Sequence, residues 1–322
     1  MSRISSGRAF IPAMLVVALF VVYVVKNGGF GAIEALGIAN AALPLALVAA
    51  GETFVILTNG IDLSIGAIVT LSNVTCADVA AHGHGVLAVA IALAVGLGAG
   101  LFNGLVVSFS GIAPLIATLA TSSIFAGIAL IVLPTPGGTV PTWLSNVTAG
   151  DVHSIPVAAF WLAGGIVTGW AILHRLPFGI YLRALGGSES ASWSAGVKVT
   201  RIRILAYGAS GLYCGLAGIV LAGLTQSGDP NIGVVYLLNG IAAVVVGGTS
   251  LVGGVGTSSG SILGAIALSL VSAVLLVSGL STNYQYIVTG LIVIGALLAH
   301  ALQAQAELRS LTREPASQKA AE

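Results

Sequence analysis

The stretch GETFVILTNGIDLSIG, residues 51–66, carries Glu52, Asn59 and Asp62 through a chain that avoids water almost from end to end. Apolar residues dominate up to Leu57, a polar and glycine-containing break follows, and the apolar pattern resumes beyond Asp62. Glu52 and Asn59 stand seven residues apart, a spacing that places both on one face of a helix. Gly60 then supplies the interruption just before Asp62. The stretch therefore reads as a helix broken inside a larger apolar body.

The surrounding composition decides the solvent. Of 322 residues, 57% are apolar and 7% are charged, and the mean hydropathy is +1.07. So few charges cannot cover a water-soluble core of that size, and a lipid bilayer has to supply the apolar surroundings. A spanning helix needs about 20 mainly apolar residues. Suitable segments run near 9–25, 38–58, 62–77, 86–108, 112–132, 156–174, 203–224, 238–252, 258–279 and 284–300. The expected fold is all-α, a polytopic transmembrane helical bundle of eight to ten spans, with ten the best fit. The segments at 62–77 and 238–252 are short and glycine-interrupted, which is why the range extends down to eight.

Ten crossings return both termini to one side. Arg3, Arg8, Arg175, Arg183, Lys198, Arg201, Arg203, Arg309, Arg313 and Lys319 then share one face and only Lys26 lies opposite. By the positive-inside rule that face, with both termini, is cytoplasmic. Residues 1–300 form the expected transmembrane domain and residues 301–322 a short polar cytoplasmic tail containing Pro315. The N-terminal run AFIPAMLVVALFVVYVV is followed by Lys26, Asn27 and two glycines without a small-x-small cleavage site, and reads as a retained first helix.

Several functions are disfavoured at this level. A net charge of +1 lacks the clustered cations of a nucleic-acid footprint. Cys76 and Cys214 both fall in apolar segments and read as structural thiols. His82 and His84 are two residues apart, which does not put them on one helical face, so they read as a solvated turn and no metal site is expected. The glycines at 247, 248, 253, 254 and 256 have no lysine beside them, and the chain nowhere contains G-x-x-x-x-G-K-[ST]. ATP hydrolysis by this chain is therefore not expected.

An aspartate at mid-membrane costs about 2.5–3.5 kcal/mol on insertion scales, so Asp62 should face a polar cavity or meet freed backbone donors. Two readings stand side by side: a lining group of a transport pathway, or a cap on the next helix through the Ser64 or Ile65 amide. Asn103 and Tyr207 either bond a neighbouring helix or face the same pathway. Gly96, Gly100 and Gly104, with Gly211, Gly215, Gly218 and Ala222, form small-residue faces suited to close helix packing. The 133–155 connection, with Trp143 inside it and Trp161 just beyond, reads as an outer-face loop, either a contact for a delivery protein or a plain connector. In the 175–203 connection Ser188 is placed to cap a short helix from Glu189. That helix either seats in another subunit or lies on the membrane surface anchored by Trp193.

The quoted stretch resembles a signature of the ribose-type permease family of bacterial ATP-binding cassette (ABC) sugar importers. LNGIAAVVVGGTSLVGGVG, residues 238–256, is similar to that family's second signature. Residues 100–130 and 179–223 resemble its central stretch and its cytoplasmic coupling region, and the likeness spans about residues 38–300. The chain departs from the family pattern at Ser188, Asn239 and Val255. The resemblance implies a permease of the bacterial inner membrane, surrounded by lipid, dimeric with a second permease copy. An ABC ATPase carries ATP and magnesium, and a periplasmic binding protein delivers a small sugar. It assigns Arg183, Glu189, Trp193 and Gly196 to ATPase coupling. Polar residues around the two broken segments, Glu52, Asn59, Asp62, Ser64, Asn103 and Asn239, become the expected pathway lining. No catalytic residue, metal or cofactor is expected on this chain. The alternative is an ion-coupled secondary transporter in which Asp62 or Glu52 titrates or holds a cation.

Overall fold

The computed structural model describes residues 10–281, 283–285, 287–292, 294, 295 and 298. Its elements are α1 (Phe10–Asn27), α2 (Ala32–Leu57), α3 (Ile65–Ala81), α4 (Gly85–Phe109), α5 (Pro114–Val132) and α6 (Thr142–Ala149). A two-residue hairpin, β1 (Asp151–Val152) and β2 (Ile155–Pro156), precedes α7 (Val157–His174), α8 (Pro177–Gly187) and α9 (Glu189–Ser194). The chain continues through α10 (Val199–Thr225), α11 (Val234–Val246) and α12 (Ser258–Val277). Seven of these, α1, α2, α4, α5, α7, α10 and α12, are long and apolar enough to cross a membrane. The helices α3 and α11 are shorter, at 17 and 13 residues. The expected tenth segment, 284–300, lies partly outside the described residues, and the tail 301–322 lies wholly outside them, as do Arg3 and Arg8.

Glycine faces organise the bundle. The most extensive helix pair is α4 with α10. A methyl group at Gly96 would sit 2.6 Å from the Gly211 carbonyl oxygen, and one at Gly100 would sit 2.9 Å from Gly211 Cα. Lipid offers no hydrophobic drive for helices to associate, so this backbone-to-backbone approach supplies van der Waals contact that larger residues would forbid. Helix α10 also packs on α2 and α3, which makes these four the centre of the bundle, while α1 lies against α12. Exposed apolar side chains such as Phe109, Ile131 and Val167 lie on the outside of the bundle.

The connections gather at two ends. At one, the α2–α3 break, the α4–α5 turn and the α8–α9 turn surround one cavity, and the α11–α12 loop bonds to the end of α2 through Gly254 N to Leu57 O at 3.1 Å. Arg175, Arg183, Lys198, Arg201 and Arg203 belong to this basic end. At the other, Gly137 and Gly228 pair as an isolated bridge. Asp229 N donates to Asn73 Oδ1 at 2.9 Å, and Ser145 Oγ donates to the Gly223 carbonyl at 2.7 Å.

Three expectations change in detail. The 133–155 connection is more than a loop: it folds into α6 and the β1–β2 hairpin, with Trp161 Nε1 donating to the Val147 carbonyl at 2.8 Å. The second broken segment lies earlier than 238–252: α11 begins at Val234 and ends at Val246, and Gly248 then turns at φ +82°. Asn59 shares no helical face with Glu52, since α2 stops at Leu57 and Asn59 itself takes the left-handed conformation at φ +62°. Asparagine tolerates that conformation better than other side chains do. Gly60 is required for a different reason: a methyl group there would lie 2.8 Å from the Tyr207 hydroxyl.

Candidate functional site

Between α2 and α3 the Thr58, Asn59 and Gly60 amides bond back to the Val55 and Ile56 carbonyls, which leaves the amides of Asp62, Leu63 and Ser64 to find other partners in a buried region. Side chains provide them. Asp62 N donates to Glu52 Oε1 at 3.0 Å. Asp62 Oδ1 accepts from Ser64 N at 2.8 Å and from Ser64 Oγ at 2.7 Å. Leu63 N donates to Thr118 Oγ1 at 3.0 Å, and that hydroxyl lies 3.2 Å from the Ile61 carbonyl. From α4, Asn103 Nδ2 reaches both Asp62 carboxylate oxygens at 3.3 Å and Ser64 Oγ at 2.6 Å.

Glu52, Asp62, Ser64 and Asn103 thus form one hydrogen-bonded knot, every member of it fully buried. The Asp62 carboxylate closes a local turn onto the amide of Ser64, the residue that precedes α3, as one of the two readings of Asp62 expected. The knot also ties three helices, α2, α3 and α4, to the break.

The remaining expected lining residues separate. Asn59 is exposed and projects at the basic end, whereas Asn239 is half-buried on α11 and joins neither the knot nor the cavity beside Asn59. That cavity, about 450 Å³, lies between the break, the α4–α5 turn, the α8–α9 turn and α10. Asn59, Glu189 and Arg203 give it polar walls, and Val107, Ile112 and Leu185 give it apolar ones; the Ser108 and Tyr207 hydroxyls behind it are shut off from the open space. Arg203 Nη2 donates to Glu189 Oε2 at 2.7 Å, the one ion pair among the described residues.

The residues assigned to coupling also divide. Ser188 caps α9, its Oγ accepting from Ala191 N at 3.2 Å. On that short helix Trp193 is 74% exposed, a costly position for a large aromatic unless another surface covers it. Gly196 turns the chain at φ +80° immediately after α9. Arg183 points elsewhere: Nη1 donates to the Leu173 carbonyl at 3.0 Å, closing the end of α7. Burial holds the Arg183 guanidinium below its ordinary value.

The two signature-like stretches meet at the basic end. A methyl group on Gly253 would lie 2.8 Å from Asn59 N, and Gly186 closes against Leu57 and Gly254. Deeper in, Thr53 Oγ1 donates to Ser261 Oγ at 2.7 Å, and Thr249 Oγ1 lies 3.3 Å from the same hydroxyl. The α8–α9 hairpin, the α2–α3 break and the α11–α12 loop are therefore in direct backbone contact. Sequence spacing passed over Thr118, Ser108 and Arg203 as site residues. Thr118 sits on an apolar helix without a neighbouring polar signal, and the Glu189–Arg203 pair spans 14 positions across two elements, a separation with no helical meaning.

Residues 34–297 match the family described as branched-chain amino acid transport system / permease component. The ribose import permease protein of Bacillus subtilis is 39% identical over 228 residues, 69% of this chain and 70% of that protein. The galactofuranose transporter permease protein of Escherichia coli is 32% identical over 205 residues, 62% of this chain and 59% of that protein. The D-allose transport system permease protein of Escherichia coli is 31% identical over 193 residues, 58% of this chain and 59% of that protein. No solved structure matches the chain.

Proposed function

This chain belongs to the branched-chain amino acid transport system / permease component family and is a multi-pass inner-membrane permease of a bacterial ABC importer; from that premise we propose that its cargo is a monosaccharide or a close chemical relative. The observation that carries the cargo class is the 39% identity to a ribose import permease, joined by galactofuranose and allose permeases among its relatives. The chemistry at the basic end agrees with it. The exposed Asn59 amide there both donates and accepts hydrogen bonds, as exchange with sugar hydroxyls requires.

Transport is powered by ATP hydrolysis, with magnesium, on a separate ATPase that seats against α9, with Trp193 and Glu189 at the contact. The exposure of Trp193 beside Glu189 and Gly196 supports that placement. A periplasmic binding protein delivers the sugar at the opposite end, where α6 packs on α10 and the β1–β2 hairpin is largely exposed. A second permease copy completes the membrane core, with residues 1–300 as the membrane domain and 301–322 as its cytoplasmic tail.

The mechanism needs no covalent chemistry on this chain. ATPase closure moves α8 and α9, and glycine contacts at Gly186, Gly253 and Gly254 pass that displacement to the α2–α3 break. Buried hydrogen bonds at Glu52, Asp62, Ser64 and Asn103 keep the break a stiff lever instead of a slack loop. Affinity resides mainly in the binding protein, and the permease offers weak polar stations from which cargo departs. Proteoliposomes holding the permease, its ATPase and its binding protein test this: sugar uptake should require ATP and all three components, and uptake of branched-chain amino acids in place of sugars would refute the cargo class.

A further inference from the structure

The end of α7 gathers two arginines and a histidine around one indole. His174 Nδ1 donates to the Trp170 carbonyl at 3.1 Å, and in that tautomer Nε2 accepts from Arg183 Nη2 at 3.4 Å. The imidazole is thereby fixed, and the Trp170 ring stacks on it with centroids 6.1 Å apart. Arg175 lies over the same indole, its Cζ 5.1 Å from the ring centroid. Such a contact holds a guanidinium in place without neutralising it. Arg183 is held in a comparable way, Nη1 donating to the Leu173 carbonyl at 3.0 Å.

Charge and depth narrow what meets this group. Residues 152–188 contain no aspartate or glutamate, and the one ion pair among the described residues joins Arg203 to Glu189. The positive charge of Arg175 and Arg183 therefore calls for an anion from outside the chain. Trp170 and Tyr181 are both exposed, and rings with a polar tip favour the depth of lipid headgroups. From Trp170 an exposed apolar stripe follows helical spacing along α7 through Val167 to Phe160. Gly164 lies between them, where even an added methyl group would meet nothing within 4 Å. From Phe160 to Trp170 the helix rises about 15 Å, half of a hydrocarbon core about 30 Å thick and so the depth of one leaflet. A cationic seat at headgroup depth beside a leaflet-deep apolar stripe matches a phospholipid of net negative charge.

We propose that this face of α7 seats an anionic phospholipid in the leaflet at the basic end: its phosphate bonds to Arg175, Arg183 adds attraction from beside His174, and an acyl chain lies along Val167, Gly164 and Phe160. Because α8 begins at Pro177, just beyond Arg175, the bound lipid anchors the start of the α8–α9 hairpin against the bilayer. The inference rests on the membrane fold and is independent of the cargo.

Native mass spectrometry of the intact permease in a neutral detergent tests the seat, with phosphatidylglycerol and phosphatidylcholine of identical chains as probes. Phosphatidylglycerol should bind with an apparent Kd about fivefold lower than phosphatidylcholine, the scale of one arginine near a charged surface. Arg175→Gln alters an exposed position, so folding should survive it, and it should bring the two lipids within about twofold of each other. Lys198→Gln removes the same charge from another exposed position at the basic end and should leave the preference unchanged. A millimolar excess of inorganic phosphate should not displace the lipid, since it lacks the chains that meet the stripe. Thermal midpoints measured on the same samples should rise with phosphatidylglycerol for the unaltered permease and not for Arg175→Gln. Equal binding of the two lipids, as a face covered by the second permease copy would give, would overturn the seat. Equal effects of the two variants, which would mark a diffuse attraction, or displacement by inorganic phosphate, which would mark a free-anion site, would overturn it as well.

Discussion

The Asp62 amide donates to Glu52 Oε1 across 3.0 Å, so a side chain from the last turns of α2 holds the backbone at the point where that helix has already ended. The bond turns a helix break into a fixed element, and it makes the break's rigidity measurable at a residue remote in sequence.

Replacing Glu52 should show this first. Glu52→Ala strands the Asp62 amide in a fully buried site and should destabilise the detergent-solubilised permease by about 1–3 kcal/mol. Glu52→Gln retains an oxygen acceptor and should cost less than half as much. Thermal unfolding followed by tryptophan fluorescence distinguishes the two, and equal losses would show that the Oε1 bond is not the important contact.

Asp62 and Asn103 should be energetically coupled. Each Asp62 carboxylate oxygen lies 3.3 Å from Asn103 Nδ2, and residues sharing one network typically show coupling of about 0.5–3 kcal/mol. A double-mutant cycle on Asp62→Ala and Asn103→Ala should therefore be non-additive, the pair costing less than the sum of the single changes. Strict additivity would mean that the two do not act as a unit.

How far the sequence reached is clearest at this knot. The break beside Asp62, the Ser64 amide as a candidate partner for its carboxylate, the small-residue faces of α4 and α10 and the short helix begun by Ser188 were all legible, because each is a local pattern with a local cause. The meeting of residues 51–66 with residues 247–256 was not, since glycines at 186, 253 and 254 announce close approach without naming a partner. Nor was the separation of Arg183 from Glu189 and Trp193. One turn of chain direction between α8 and α9 decides which side chain faces inward, and helical periodicity is silent across such a turn.

Glycines in one helix should divide by what they face. Gly100→Ala places a methyl group against the backbone of Gly211 and should destabilise by about 1–3 kcal/mol through overpacking. Gly98→Ala meets nothing within 4 Å and should be neutral or stabilising by up to about 1 kcal/mol, since alanine is the better helix former. Thermal midpoints of the two variants, two positions apart, check the pairing of α4 with α10.

Trp193 and Arg183 should separate docking from folding. Trp193 is 74% exposed, so Trp193→Ala should change stability by no more than about 0.5 kcal/mol while weakening retention of the ATPase on the purified permease tenfold or more. Arg183→Ala should instead lower stability by loosening the end of α7. Co-purification and unfolding measured on the same samples assign each residue to one role or the other.

The most direct measurement is sugar uptake by proteoliposomes containing this permease, its ATPase and its binding protein, with ATP supplied on the ATPase side and ion gradients collapsed. The account predicts accumulation of a monosaccharide that stops when ATP, the ATPase or the binding protein is withheld. Accumulation by the permease alone, driven by a proton or sodium gradient and indifferent to ATP, would contradict it.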